Sequence, residues 1–276
     1  MLIECFFEAR ESLIEREWKM LSTIERRQKI VLLTEQKGNV SVKQLAETFD
    51  ISTVTIRSDL NELNRLGLIV RSRGGAVTSN RLTKELSIKE KHTKNHKIKQ
   101  KLGQAVANLI EDGDAIILDS GSTTEEVAHC LIGKKELTVM TNGLNIANEL
   151  AQSEGCDVFI TGGRLRKKSM SFYGIHAEER LRYYNFSKVI LGVDGIDIDR
   201  GISTHYEPEA NFNRAMCDNA QQIIVVTDSS KFGKRSLHSI IKLDAIDVLV
   251  TDSNIPKEFV DVIKNLNIEL HIVNIK

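Results

Sequence analysis

The spacing of hydrophobic positions changes near residue 98. Before it, apolar side chains recur at helical spacing and end in a short hairpin pattern. After it, short β-rich apolar runs alternate with helical patterns. Two patterns predict two domains, and 276 residues allow about two at roughly 100–200 residues each.

The N-terminal pattern is that of a winged helix-turn-helix. Residues 22–25 and 41–44 each fit a capping box that opens a helix, and Ser52 can cap a third helix. The run LIVRSRGGAV then supplies a strand, a Gly-Gly turn and a return strand. We therefore predict a winged helix-turn-helix over residues 22–77, with the helix-turn-helix at about 41–60.

The third predicted helix has two different faces. At 100° per residue, Ile56, Leu60 and Leu63 cluster on one side and predict the buried face. The opposite side carries small hydroxyls, an amide and arginine, which can read base edges or bind phosphate. The candidate DNA contacts are Thr53, Val54, Thr55, Arg57, Ser58 and Asn61 on the helix, with Arg71 and Arg73 on the wing. A plain packing domain is the alternative.

Charge adds to this interpretation. The chain is neutral, with 38 basic and 38 acidic residues, but residues 20–101 hold 17 Lys/Arg against 8 Asp/Glu, a net charge of +9. Such asymmetry indicates a polyanion partner for the basic part. For residues 81–101 alone, a solvated lysine-rich helix is the preferred explanation of the charge.

The C-terminal pattern predicts a mostly parallel α/β sheet over residues 98–276. Seven apolar runs alternate with helical segments. The seven runs are AIILD, LTVMT, DVFIT, KVILGVD, QIIVVTD, IDVLVT and IELHIV. Residues 78–97 are polar and basic with little apolar periodicity, and we interpret them as a linker.

Polar and glycine-rich residues follow five of these strands. In open α/β sheets, ligands bind beyond the carboxyl ends of the strands, and N–H groups at a helix N-terminus suit an anion. We therefore predict a site for a phosphorylated small molecule, although glycine turns can also have backbone reasons alone. The candidate effector-binding residues are Asp119, Ser120, Gly121, Ser122, Thr123, Thr124, Thr141, Asn142, Gly163, Arg164, Asp194, Glu209 and Lys231, and Arg166 can add charge.

Motifs from both predicted domains resemble the DeoR-type bacterial transcription regulators. They include SVKQLAETFDISTVTIRSDLNELNRLGLIVRSRGGAV, ILDSGSTT, TGGRLR, LGVDGI, EPEANFNRAMC and VVTDSSKFG. The sequences of residues 169–174 and of RGISTHYEPEA are most similar to the branch that represses N-acetylgalactosamine and galactosamine utilisation.

The resemblance implies a sensor domain similar to ribose-5-phosphate isomerase and glucosamine-6-phosphate deaminase, and a phosphosugar ligand. It implies that residues 120–124 form the phosphate loop. It also implies that Asp194 and Lys231 correspond to an aspartate and a lysine of those enzymes. Further acid/base residues of the enzymes have no counterpart that the motifs identify.

We expect a repressor that binds double-stranded operator DNA and is released by a phosphorylated sugar. Operator binding requires a homo-oligomer, a dimer or a tetramer. The expected regulator has no catalytic residues, metal or cofactor, does not contact a membrane and is cytoplasmic. The alternatives are a sugar-phosphate isomerase or amino-sugar-phosphate deaminase with an appended DNA-binding domain, and a structural interaction module, which leaves the polar strand ends unexplained.

The N-terminal segment differs in pattern from the rest of the chain. Residues 1–21 are interpreted as an N-terminal extension that need not be native, because a helix start lies directly after Met20. An extra helix used for packing or dimerisation is the alternative. The four cysteines lack C-x-x-C spacing and are expected to be reduced thiols.

Overall fold

The structure, a computed structural model, describes residues 22–65, 69–72, 74–78 and 85–275. It divides into two compact units, Met1–Arg81 and Leu82–Lys276, which are described separately. The predicted extension at 1–21 and the wing residue Arg73 lie outside the described residues.

The N-terminal domain is a winged helix-turn-helix, as the sequence predicts. Both capping boxes form: the Ser22 hydroxyl accepts from Glu25 N–H, and the Ser41 hydroxyl accepts from Gln44 N–H. The elements in this part are α1 (Thr23–Lys37), β1 (Asn39–Ser41), α2 (Val42–Phe49), α3 (Thr53–Arg65), β2 (Ile69–Ser72) and β3 (Gly75–Thr78). The three strands form an antiparallel sheet in the order β1-β3-β2.

The buried face of α3 is the predicted one. Ile56, Leu60 and Leu63 are at most 2% exposed and pack with Ile30 of α1 and Phe49 of α2. Since this face holds α3 against the other two helices, the opposite face of α3 is left on the surface.

The C-terminal domain is a parallel sheet with helices on both faces. Its helices are α4 (Ile88–Thr93), α5 (His96–Ala107), α6 (Ser122–Leu131), α7 (Leu144–Leu150), α8 (Ile175–Leu181), α9 (Glu207–Asp218) and α10 (Lys257–Asn265). The sheet strands are β4 (Ala115–Leu118), β5 (Leu137–Thr141), β6 (Cys156–Ile160), β9 (Phe186–Gly192), β12 (Ala220–Val226), β14 (Val248–Asp252) and β15 (Glu269–Val273). The short strands are β7 (Arg164–Arg166), β8 (Ser171–Tyr173), β10 (Gly195–Asp197), β11 (Gly201–Thr204) and β13 (His238–Ser239).

All seven predicted strands occur and pair in parallel, in the order β15-β14-β12-β9-β4-β5-β6. Along β4, Ile117 joins one buried cluster, while Ile116 and Leu118 join the other. Because successive strand residues point to opposite faces, this alternation places the sheet between two apolar layers. The polar residues therefore collect at the ends of the strands.

The structure differs from the predicted linker at 78–97. Residues 88–93 form α4, whose Ile88 is 7% exposed and donates its N–H to the Lys168 carbonyl. The sequence signal for this helix is a capping box: the Ser87 hydroxyl accepts from Glu90 N–H, and the Glu90 carboxylate accepts from Ser87 N–H. One buried apolar side chain is too few to produce periodicity, so a polar helix resembles a linker.

No helix among the described residues combines the length and the apolarity needed to cross a membrane.

We predict that Gly75→Ala destabilises the N-terminal domain by about 1–3 kcal/mol or more. A Cβ at Gly75 would lie 2.0 Å from the Val40 carbonyl oxygen, so β1 and β3 would have to separate. The measurement is thermal unfolding of the full chain together with DNA binding. Ser72→Ala is the control, since Ser72 is exposed opposite Gly75 in the sheet. Equal melting of the two variants would contradict the prediction.

Candidate functional site

The exposed face of α3 forms a groove with α1. Val54 is 71% exposed, although it is apolar, and the exposed Arg57, Ser58 and Asn61 lie along the same face. The groove has a volume of about 540 Å³ and is lined by Arg27, Val54, Arg57, Ser58, Asn61, Glu62 and Arg65. Four predicted DNA contacts thus share one surface, and Arg27, which is not among the contacts predicted from the sequence, lies beside them.

The remaining predicted DNA contacts are placed differently. Thr53 is exposed at the first turn of α3. Thr55 donates its N–H to the Ser52 hydroxyl at 3.1 Å, so it forms part of the helix start. Arg71 is half-buried and donates from one terminal nitrogen to the Gly75 carbonyl at 3.0 Å. That bond keeps Arg71 close to the wing and uses part of its hydrogen-bonding capacity.

In the C-terminal domain, the loop between β4 and α6 combines a helix N-terminus with buried polar side chains. Asp119 and Ser120 are 3% and 2% exposed. Gly121 is the N-cap residue of α6 and provides no side-chain cap, so first-turn N–H groups have no partner from that residue. An anion is the natural partner for such groups.

Two of the predicted threonines have bonds that hold the backbone. The Thr124 hydroxyl donates to the Asp119 carbonyl at 2.5 Å, with the Gly121 carbonyl 2.8 Å away. The Thr141 hydroxyl donates to the Leu118 carbonyl at 2.6 Å and accepts from Gly143 N–H at 3.0 Å. Both therefore shape the loops rather than face a ligand.

Three buried oxygens near these loops have no hydrogen-bond partner within the described part of the chain. They are Asp119 Oδ1, Ser120 Oγ and Asn142 Oδ1. A Cβ at Gly143 would lie 3.0 Å from the Ser120 Cβ, which shows how closely the β4 and β5 ends approach. Buried polar atoms normally have partners, so unpaired atoms at one edge of a sheet indicate a ligand site.

Two lysines reach Asp194, which follows β9. The Asp194 Oδ1 lies 2.6 Å from the Lys91 Nζ of α4 and 3.7 Å from the Lys231 Nζ. Burial alone would raise the pKa of Asp194, but the charges of Lys91 and Lys231 lower this pKa to about 2. Asp194 is therefore ionised at neutral pH. Lys91 is not among the predicted site residues, because its segment has the pattern of a linker.

A third lysine lies next to the loop between β4 and α6. Lys99 of α5 is 4% exposed and donates from its Nζ to the Ser122 hydroxyl at 3.1 Å. Burial lowers the pKa of Lys99 to about 8, partly offset by the charge of Asp228. The loop at the start of α6 therefore has a nearby cation from a helix that the predicted site did not include.

Glu209 of α9 lies near Asp119, Lys91 and Asp194, and it differs from Asp194 in its protonation. Burial and, to a smaller extent, the neighbouring charge of Asp119 raise the pKa of Glu209 to about 8, with Lys91 opposing the shift. Burial also raises the pKa of Asp119 to about 6. One edge of the sheet therefore combines an ionised carboxylate with a carboxyl group that retains its proton near pH 7.

Of the two arginines after β6, Arg166 rather than Arg164 lies next to Glu209. An Arg166 terminal nitrogen is 3.8 Å from the Glu209 carboxylate, and its guanidinium lies 4.1 Å from the Tyr206 ring centre. Arg166 also donates to the Glu85 carboxylate at 2.9 Å. Arg164 is exposed, and Gly163 has a φ of 103° beside the Tyr173 carbonyl, which accounts for the glycine as a backbone requirement.

The N-terminal domain is a winged helix whose third helix has an exposed, mainly polar face. The C-terminal α/β domain has buried polar groups at the ends of its strands, as in ligand-binding sites. Together these features define a DNA-binding regulator with a sensor domain. The chain belongs to the DeoR family of transcription regulators. The family's DeoR-like helix-turn-helix domain matches residues 26–81, and its DeoR C-terminal sensor domain matches residues 94–253. The resemblance expected from the motifs is confirmed.

Relatives extend over almost the full chain. The putative aga operon transcriptional repressor of Escherichia coli O157:H7 is 43% identical over 93% of this chain and 96% of its own length. The glycerol-3-phosphate regulon repressor of Escherichia coli K12 is 32% identical over 90% of this chain and 98% of its own. Ribose 5-phosphate isomerase A from Neisseria gonorrhoeae is similar at a TM-score of 0.37 and 13% identity, over 49% and 52% of the two chains. A similarity of that size carries no argument about function.

We predict that Glu209→Gln flattens the dependence of the melting temperature on pH between about 4.5 and 8. The raised pKa means that the folded protein keeps a proton which the unfolded chain releases above its ordinary pKa of 4.5. Stability contributed by Glu209 is therefore present at low pH and is lost as pH rises through about 8. We expect a difference of a few degrees, at about 2–4 °C per kcal/mol for a domain of this size.

Glu207→Gln is the matched control for this measurement. Glu207 is exposed at the start of the same helix, so its removal should leave the pH profile of the wild type. Parallel profiles for the wild type and Glu209→Gln would show that the Glu209 proton is not retained on folding.

Proposed function

We propose that the protein represses an amino-sugar utilisation operon and leaves its operator when a phosphorylated sugar binds the C-terminal domain. The similarity to the aga operon repressor, at 43% identity, is the observation that carries the choice of pathway. The proposal includes a cytoplasmic location, which a DNA partner supports. The operator-binding form is a homo-oligomer, because winged helices of this kind bind paired half-sites about one helical turn apart.

In the proposed complex with DNA, α3 enters the major groove. Arg57 and Asn61 have the side chains that bind guanine and adenine bidentately, and Val54 can contact a thymine methyl. Ser58 and Thr53 extend the same surface toward base edges or phosphate. Thr55 and Arg71 act through their bonds in the helix start and the wing, and Arg73 remains a predicted wing contact.

In the proposed effector complex, the phosphate lies at the start of α6. Ser120 and the residues up to Thr123 supply hydroxyl and backbone donors, while Lys99 and Lys231 supply positive charge. The buried Ser120 hydroxyl, unpaired within the described residues, supports this placement most directly. Thr124 and Thr141 position these groups through their backbone bonds.

The sugar ring in this proposal lies toward β5, β9 and α9. The buried oxygens of Asp119 and Asn142 can accept hydroxyl donors, and the ionised Asp194 can accept from a hydroxyl or an amine. The protonated Glu209 can donate one hydrogen bond. Lys91 contacts Asp194 and thereby controls how much of that carboxylate a ligand can use.

We propose that this site senses its ligand without converting it, and the proposal assigns no catalytic residue, metal or cofactor. The family supports this reading, since the two relatives described above are named as repressors. An isomerase or deaminase would show turnover of ribose 5-phosphate or galactosamine 6-phosphate. A product peak with either compound would reject the assignment as a sensor alone.

We predict that a sugar phosphate releases the protein from DNA and that the corresponding free sugar does not. The site presents helix N–H groups and lysines, which bind the phosphate and have little affinity for a neutral ring. The measurement is a mobility-shift assay on the gene's own upstream DNA with galactosamine 6-phosphate, other sugar phosphates and the unphosphorylated sugars. If none of the phosphates changed DNA affinity, the sensor part of the proposal would be wrong.

We predict that Ser120→Ala raises the effector concentration needed for release by about tenfold or more, with unchanged DNA affinity. A hydrogen bond to a charged group contributes about 1.5–3 kcal/mol. Ser253→Ala is the matched control, because Ser253 also follows a sheet strand but is exposed after β14. An unchanged effector response in Ser120→Ala would remove Ser120 from the site.

A further inference from the structure

We propose that Arg27 of α1 is a DNA phosphate contact and that the buried carboxylate of Asp59 in α3 holds it in place. The inference rests on the proposed DNA-binding function and adds a residue from a helix that carries none of the predicted contacts.

Asp59 is the centre of the arrangement. Its side chain is 2% exposed, and its two oxygens accept from Arg26 Nε at 2.7 Å and from Arg27 Nε at 2.8 Å. A buried carboxylate is costly unless it is paired, and one arginine would neutralise its charge. Two arginines paired with one carboxylate have a net charge of +1, so the pairing more than compensates the charge of Asp59.

The two arginines differ in where that charge is accessible. Arg26 is 12% exposed, and its Nη2 lies 3.5 Å from the Thr23 hydroxyl of its own helix. Arg27 is 30% exposed and lines the groove next to Arg57, Ser58 and Asn61. The excess charge is therefore presented at Arg27.

The bond to Asp59 fixes the direction of the Arg27 guanidinium without consuming it. A guanidinium has five N–H donors in one plane, and the Nε bond uses one of them. Phosphate is recognised by such a planar fork, and ordering the side chain in advance lowers the entropy lost on binding. Lysine at this position could not hold Asp59 and a phosphate with the same geometry.

The charge of the groove favours a polyanion. Three arginines and one glutamate line it, and Glu62 is bound to Arg65 at 2.7 Å. Arg27 lies on α1, beside α3, which is the helix that would enter the major groove of the DNA. Contacts at the sides of an inserted helix go mostly to phosphate and position the protein rather than read sequence.

The test compares Arg27→Ala with the wild type on the upstream DNA and on an unrelated duplex of equal length, over a series of salt concentrations. We expect the same fold loss of affinity on both duplexes. We also expect the slope of log K against log salt to decrease in magnitude by about 0.9, the value for one lost phosphate contact. A base contact would instead reduce the preference for the upstream DNA.

Arg26→Ala is the matched control, since it also removes one partner of Asp59 but lies away from the groove; its salt slope should equal that of the wild type. Arg27→Gln keeps a donor for Asp59 and removes the charge, and it is used if Arg27→Ala does not fold. A wild-type slope in a folded Arg27 variant, or an equal change in Arg26→Ala, overturns the Arg27 proposal alone. Failure of the wild type to bind either duplex overturns it together with the proposed function.

Discussion

The C-terminal domain depends on a buried carboxylate that is shared by cations from distant parts of the chain. Asp194 follows the central strand β9, Lys91 precedes the sheet, and Lys231 follows β12. Without these lysines, burial would drive Asp194 toward its neutral form. The pairing therefore attaches α4 to the sheet and at the same time keeps an anionic group ready at the edge where a ligand would bind.

The sequence predicted those features that repeat locally. All seven strands, the capping boxes at Ser22 and Ser41, and the buried face of α3 follow from periodicity or from pairs of residues three positions apart. The polar strand ends were predicted because parallel strands bring their carboxyl ends to one edge. For Asp119, Ser120 and Asn142, the structure shows buried oxygens at that edge, which is the part of the site that pattern alone could locate.

The features that could not be predicted from the sequence depend on contacts between residues far apart in the chain. Lys91 and Arg27 each carry a charge that resembles ordinary surface charge until the partner carboxylate is known. Asp59 lies 32 positions from Arg27, and no local spacing links them. Arg164 and Arg166 lie on one short strand, so the sequence does not show which of them faces the site. Only the packing of α9 shows that Arg166 lies beside Glu209. Composition shows that these charges exist, while tertiary structure determines which of them are oriented.

In the proposed function, the pairing of Asp194 with Lys91 and Lys231 also explains why the signal should be anionic. A ligand changes the state of the protein only through a difference in its affinity for the two states. A phosphate near Lys231 and Lys99 competes with Asp194 and Asp228 for the same cations, so it changes interactions that the unliganded domain already makes. A neutral sugar can hydrogen-bond to the buried oxygens but leaves the lysines paired with their carboxylates. The charge of the ligand therefore supplies the energetic difference that binding of the ring alone lacks.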